Sequence, residues 1–257
     1  MLRRRTAPHC ATRIYCNLMF SYYNTLGKRG MCFYARRVRS PIDVSVTIKK
    51  NIYVYEQEEK MFQRIDRPGF YYGFPVLLMT TKDQETGEDA LTPLSSSWVL
   101  DQTIVIGIGA GNKGFCNIEA GADMVFNLPG ANLYENVKRI ERLTGLRKLS
   151  EVKKNLGYTY CADKFGVGGF TKLPGETVAA VRIPECPFHI EATVESITRK
   201  DWFAIVVCHI TAIFADEKLL TADGRIDTAR WQPLIYKLKE YTTTGVRLEL
   251  NFGFREY

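Results

Sequence analysis

Two apolar runs, Thr103–Ile108 and Met124–Leu128, stand too close together for the second to return parallel to the first. A glycine-rich turn, GAGNKG, follows the first run, and only nine residues, Phe115 to Asp123, separate Gly114 from the second. A parallel crossover takes a dozen residues or more, normally a full helix. Asn117 to Ala122 leaves room for a short helix only. The spacing therefore excludes a βαβ unit here and points to neighbouring antiparallel segments.

The same spacing disposes of two nucleotide motifs. Gly109, Gly111 and Gly114 match the glycines of the dinucleotide fingerprint. That fingerprint also needs a crossover helix and an acid about 20 residues on. A Walker loop needs lysine directly after its last glycine, and Phe115 stands there. What the stretch does offer is hydroxyls (Ser95, Ser96, Ser97), backbone N–H groups and one ammonium, Lys113, in a small space. Those are the groups that hold a phosphate.

The rest of the chain reads as many strands and few helices. Strands are expected at Pro75–Thr81, Leu91–Leu100, Thr103–Ile108 and Met124–Leu128. A long antiparallel pair is expected at Phe188–Thr198 and Trp202–Phe214, turning at Arg199-Lys200-Asp201, and a last strand at Val246–Phe254. A helix is expected over Asn132–Thr144, capped by Asn132 and ended by Gly145. A looser segment follows to Pro187, and Asp227–Tyr241 reads as helical or irregular. The expected class is mainly β, a closed barrel with helical excursions.

Charge separates the chain into two parts. Residues 1–60 hold 12 Lys/Arg against 4 Asp/Glu, while residues 61–257 hold 23 against 24. The net +7 of the chain therefore belongs to its first quarter, and the body has no basic excess with which to grip nucleic acid. The first acid is Asp43. Residues 1–60 are expected to be a basic extension: an over-long reading frame ahead of Met61, a leader, or an arm. Residues 61–257 are expected to be the functional domain. The best membrane candidate, Trp202–Ala215, is too short to span a bilayer and carries His209 and Thr211. Seven cysteines without framework spacing suggest reduced thiols and a cytoplasmic setting, or an organellar one if residues 1–42 are a leader.

The order GFPVLLMTT, ALTPLSSSW, TIVIGIG, NKGFCNI, MVFNLP, ADKFGVGGFT, IPECPFHIEATV and DTARWQPLIY resembles the flavin reductase-like family of flavoredoxin type, over roughly Phe62 to Tyr241. The resemblance implies a six-stranded Greek-key FMN-binding split barrel, a homodimer with FMN (or FAD) at the subunit boundary, and NADH or NADPH as electron donor. An acceptor protein is a further implied partner. The implied activity is a flavin reductase; a non-catalytic electron carrier or sensor on the same barrel is the alternative. By the same resemblance Ser95, Ser96 and Ser97 contact the ribityl chain and phosphate. Thr92, Pro93 and Leu94 run along the isoalloxazine edge. Lys113 pairs with the phosphate, Asn117 closes its turn, and Lys164 lies in a loop near the flavin.

Two positions depart from the family pattern. Ala90 stands where asparagine is usual and Gly114 where threonine is usual. Loss of one hydroxyl from a phosphate site removes about 1–2 kcal/mol, roughly tenfold in affinity. Cys116, in the phosphate turn, and the aromatics Trp98, Trp231, Tyr236 and Tyr241 are expected to serve packing, the aromatics in barrel or dimer core. Cys186, His189, Cys208 and His209 suggest zinc only superficially, because adjacent strand residues face opposite ways.

Overall fold

The computed structural model describes residues 62–67, 69–246 and 248–249. The chain divides into units 1–66 and 67–257, and the architecture is that of the second. Its strands are β1 (Phe74–Pro75), β2 (Leu77–Lys82), β3 (Asp89–Leu94), β4 (Ser96–Leu100), β5 (Thr103–Gly109), β6 (Met124–Leu128), β7 (Leu143–Thr144), β8 (Thr159–Tyr160), β9 (Phe188–Arg199), β10 (Phe203–Ala215), β11 (Ile235–Lys237) and β12 (Glu240–Thr242). Its helices are α1 (Lys113–Glu119), α2 (Tyr134–Ile140), α3 (Glu151–Asn155) and α4 (Lys164–Gly168).

Seven strands form one sheet in the order β3-β2-β6-β9-β10-β5-β4, antiparallel throughout. Its two edge strands, β3 and β4, are consecutive in the chain and separated by Ser95 alone. The sheet must curl until its edges meet, since one residue joins them. This is the mainly β split barrel expected from the sequence. The expected single strand Leu91–Leu100 is broken at Ser95, which turns six strands into seven. Register shifts between Val207 and Cys208 and between Ile210 and Ala212 add local twist to the β9–β10 ribbon.

Side-chain alternation sorts the strands into two layers. Leu77 and Met79 of β2 join Ile104, Ile106 and Ile108 of β5 and Ala204, Val206 and Cys208 of β10 in the barrel interior. Leu78 points the other way, into a second cluster with Val137 and Ile140 of α2 and Phe165 of α4. Covered on both faces, β2 is buried from Leu77 to Thr81, and its first three residues, Leu77, Leu78 and Met79, are apolar without alternation. Cys208 is buried while His209 is exposed, so the two do face opposite ways. Glu191, fully buried on β9, accepts from the backbone N–H groups of Glu176 and Thr177 at 2.9 and 2.6 Å and ties that loop to the sheet.

Several local expectations are corrected. The short helix begins at Lys113 rather than Asn117. Helix α2 starts at Tyr134 after a 3-10 turn and ends at Ile140; Asn132 is not its cap, and Leu143–Thr144 pairs as a strand with β8. The segment read as loose carries α3, β8 and α4. The stretch read as helical or irregular over Asp227–Tyr241 contains β11 and runs into β12, a hairpin whose partner on the other side is β1. The expected last strand lies largely outside the described residues; Val246, Leu248 and Glu249 are not in a strand. Among the described residues no helix is long and apolar enough to cross a membrane.

Candidate functional site

Lys113 is the first residue of α1, and Lys164 is the first residue of α4. Both line one cavity, together with Ala90 at the start of β3, Gly145 and Tyr160. Two local features bring them there. A β-carbon on Gly145 would stand 3.2 Å from Lys113 Cγ, so the bare glycine lets the lysine stem pass. Asp163 caps α4 by accepting from Gly166 N at 2.9 Å, which fixes the turn that carries Lys164.

Lys164 is 6% exposed, and its Nζ has one oxygen partner, the Leu143 carbonyl at 3.4 Å. Burial, then the nearby Lys153 charge, pulls its ammonium down to about 8. Lys153 was not a candidate in the sequence. Its Nζ reaches Gly111 O at 2.6 Å and Asn112 Oδ1 at 3.0 Å, and burial lowers its pKa as well. Among the described residues neither Lys164 nor Lys153 is paired with a carboxylate; Lys153 lies outside the cavity lining, which also includes Glu88 and Asp89.

Lys113 does not stand free. Its Nζ is ion-paired with Asp83 Oδ2. The Lys113 hydrogen bond, with help from Thr86 N–H, holds the Asp83 carboxyl down to about 2.

The other candidates divide by burial. Thr92 is buried, and Asn117, 2% exposed, donates from Nδ2 to Thr81 Oγ1 at 3.0 Å, fastening α1 to β2. Pro93, Leu94, Ser95, Ser96 and Ser97 are half-buried along the two free edges of the sheet. Such edges carry unpaired N–H and C=O groups. None of the three serines lines the lysine cavity. Tyr71 Oη and Ser96 Oγ share a hydrogen bond of 2.9 Å, a partnership with no trace in the sequence pattern. One packing expectation is corrected, since Cys116 is exposed; Trp98 is 56% exposed on β4 of the single copy.

No protein-family profile matches the sequence. The chain is 36% identical over 195 residues to the uncharacterized protein YdfE of Bacillus subtilis (strain 168), covering 75% of this chain and 94% of that protein. Its fold is similar to flavoredoxin of Desulfovibrio vulgaris (Miyazaki F), with TM-score 0.63 and 19% identity over 75% of this chain and 98% of that one. It is also similar to a flavin reductase with split barrel domain of Shewanella frigidimarina NCIMB 400, with TM-score 0.55 and 18% identity over 70% and 87% of the two chains. The chain belongs to one family with YdfE, and its fold is the split barrel of the flavoredoxin and the flavin reductase. In this member of the family, β3 runs from the lysine cavity at Ala90 to the seam at Ser95, so cavity and seam lie along one strand.

Proposed function

We propose that the protein is a flavin-dependent oxidoreductase, a flavin reductase that takes hydride from NADH or NADPH and binds FMN in preference to FAD. The observation that carries this reading is the meeting of Lys113 and Lys164 at one cavity on the β3 edge. The resemblance had assigned both to the cofactor from sequence segments about 50 residues apart.

The residues suit a phosphate at the cavity and a ring outside it. The cavity holds about 30 Å³, against roughly 300–1,000 Å³ for pockets that enclose a whole ligand. Lys164 and Lys113 would hold the phosphate, and the hydroxyls of Ser95, Ser96 and Ser97, at the other end of β3, would donate to the ribityl chain. The unpaired backbone groups of Thr92, Pro93 and Leu94 would meet the polar rim of the ring. Thr92 and Asn117 act from within the fold, setting the approach of α1 to β3. When bound, the flavin supplies the hydride and electron chemistry. The chain supplies orientation, charge and exclusion of water.

A second copy of the chain completes the site in this reading. Trp98, Val99 and Leu100 on the free edge of β4 are 56%, 49% and 69% exposed, an apolar strand edge of the kind that pairs with a partner. We place the protein in the cytoplasm, in keeping with the free thiols of Cys116, Cys161, Cys186 and Cys208.

The test is a visible spectrum of the purified full chain followed by titration with FMN, FAD and riboflavin. FMN should bind far better than riboflavin, and Lys113→Ala with Ser95→Ala should weaken FMN at least tenfold. Equal affinity for FMN and riboflavin sinks the phosphate assignment. Steady-state oxidation of NADH and NADPH with added flavin separates a reductase from an electron carrier.

A further inference from the structure

Glu88 and Asp89 line the cavity, whereas Asp83 lies outside the lining and reaches it through Lys113. Asp83 opens the tight β2–β3 turn, which is closed by Asp83 N–H to Glu88 O at 2.8 Å and Gly87 N–H to Asp83 O at 2.9 Å. Asp83 Oδ1 accepts from Glu85 N and Thr86 N at 2.9 and 3.0 Å. With one oxygen pinned by the turn, the other is presented to Lys113 Nζ. The side chain is 13% exposed, so the pair is not a loose surface contact. Asp89, which lines the cavity, is spent on Lys82 and Lys172 at 2.7 and 3.1 Å. Lys153 and Lys164 meet only carbonyl, amide and hydroxyl oxygens. Among the described residues, Lys113 alone of these three lysines is held by a carboxylate.

Resting on the reading of Lys113 as a phosphate contact, we propose that Asp83 is the specificity-determining residue of this site, a built-in competitor that occupies Lys113 and weakens the hold on phosphorylated flavin. An incoming phosphate must share the ammonium or displace the carboxylate, and it meets the carboxylate's like charge in either case. A flavin without a phosphate meets no such competition. Repulsive elements of this kind set specificity as effectively as attractive ones. The consequence is a flavin that exchanges readily rather than one held permanently.

The experiment measures FMN and riboflavin dissociation constants for the full chain, Asp83→Asn, Lys113→Ala and the double variant, with circular dichroism of each. Asparagine keeps an oxygen for the Glu85 and Thr86 N–H groups, so the turn survives; Asp83→Ser is measured beside it as a second removal of the charge. Asp83→Asn or Asp83→Ser should tighten FMN at least threefold and leave riboflavin unchanged. The gain should vanish when Lys113 is alanine. FMN affinity that is unchanged or weaker in both Asp83 variants, while Lys113→Ala still weakens it, overturns the competitor role alone. FMN affinity unmoved by Lys113→Ala overturns the phosphate reading and the competitor with it.

Discussion

Gly114 and Thr92 meet so closely that no side chain fits between them: a β-carbon on Gly114 would lie 2.7 Å from Thr92 Oγ1 and 2.6 Å from Met79 Cε. Helix α1 therefore rests directly on β2 and β3. Gly114 is a packing feature of this chain, and it sets how close Lys113, one residue earlier, comes to the sheet. Both obstructing atoms are side-chain ends, so the site can yield at a cost.

Gly114→Thr should lower stability by about 1–3 kcal/mol, the usual penalty for overpacking. Thermal unfolding by circular dichroism checks this, with a drop of several degrees expected. An unchanged midpoint would mean that Met79 and Thr92 turn aside freely.

Lys164 gives the site a pH dependence whose direction follows from its lowered pKa of about 8. An unfolded lysine titrates near 10.4. Below pH 8 the folded chain bears the cost of a buried ammonium; as pH rises from 8 toward 10.4 that cost disappears and stability increases. Anion binding runs the opposite way, because the charge that attracts phosphate is lost through the same range. FMN affinity should fall as pH rises above 8, with riboflavin affinity flat. Lys164→Met should weaken FMN several-fold at pH 7 and abolish the difference in pH profile. Parallel FMN and riboflavin profiles in the unmodified protein would remove Lys164 from the phosphate site.

The free edge of β4 provides a test of the second copy. Trp98→Asp with Leu100→Asp puts charge on an exposed apolar strand edge. Sedimentation velocity should report a dimer for the unmodified chain and a monomer for the variant, with flavin binding weakened at least tenfold in the monomer. A monomeric unmodified chain that binds flavin at full strength would show that one copy suffices.

Much of the barrel was legible in the sequence because its signals are local. Met124–Leu128 is a strand to the residue, and the β9–β10 ribbon and its turn fall where the apolar pattern placed them. The short distance from Gly114 to Met124 excluded a parallel crossover without any knowledge of the fold. Short elements fared worse. The end of α2 and the hairpin of β11 and β12 depend on packing against other parts of the chain, which local propensity does not report.

The sequence by itself determined the antiparallel barrel, the run of serines at Ser95, Ser96 and Ser97, and the presence of lysines between the strands. Only the tertiary structure decided what those lysines face. Asp83 lies 30 residues from Lys113, and Lys153 lies 41 from Asn112, separations at which no periodicity relates one charge to another. Whether an ammonium is free to meet a ligand depends on which carboxylate the folded sheet carries to it. Helix α1 rests on β2 and β3, and that packing brings the turn between these strands to its first residue, Lys113.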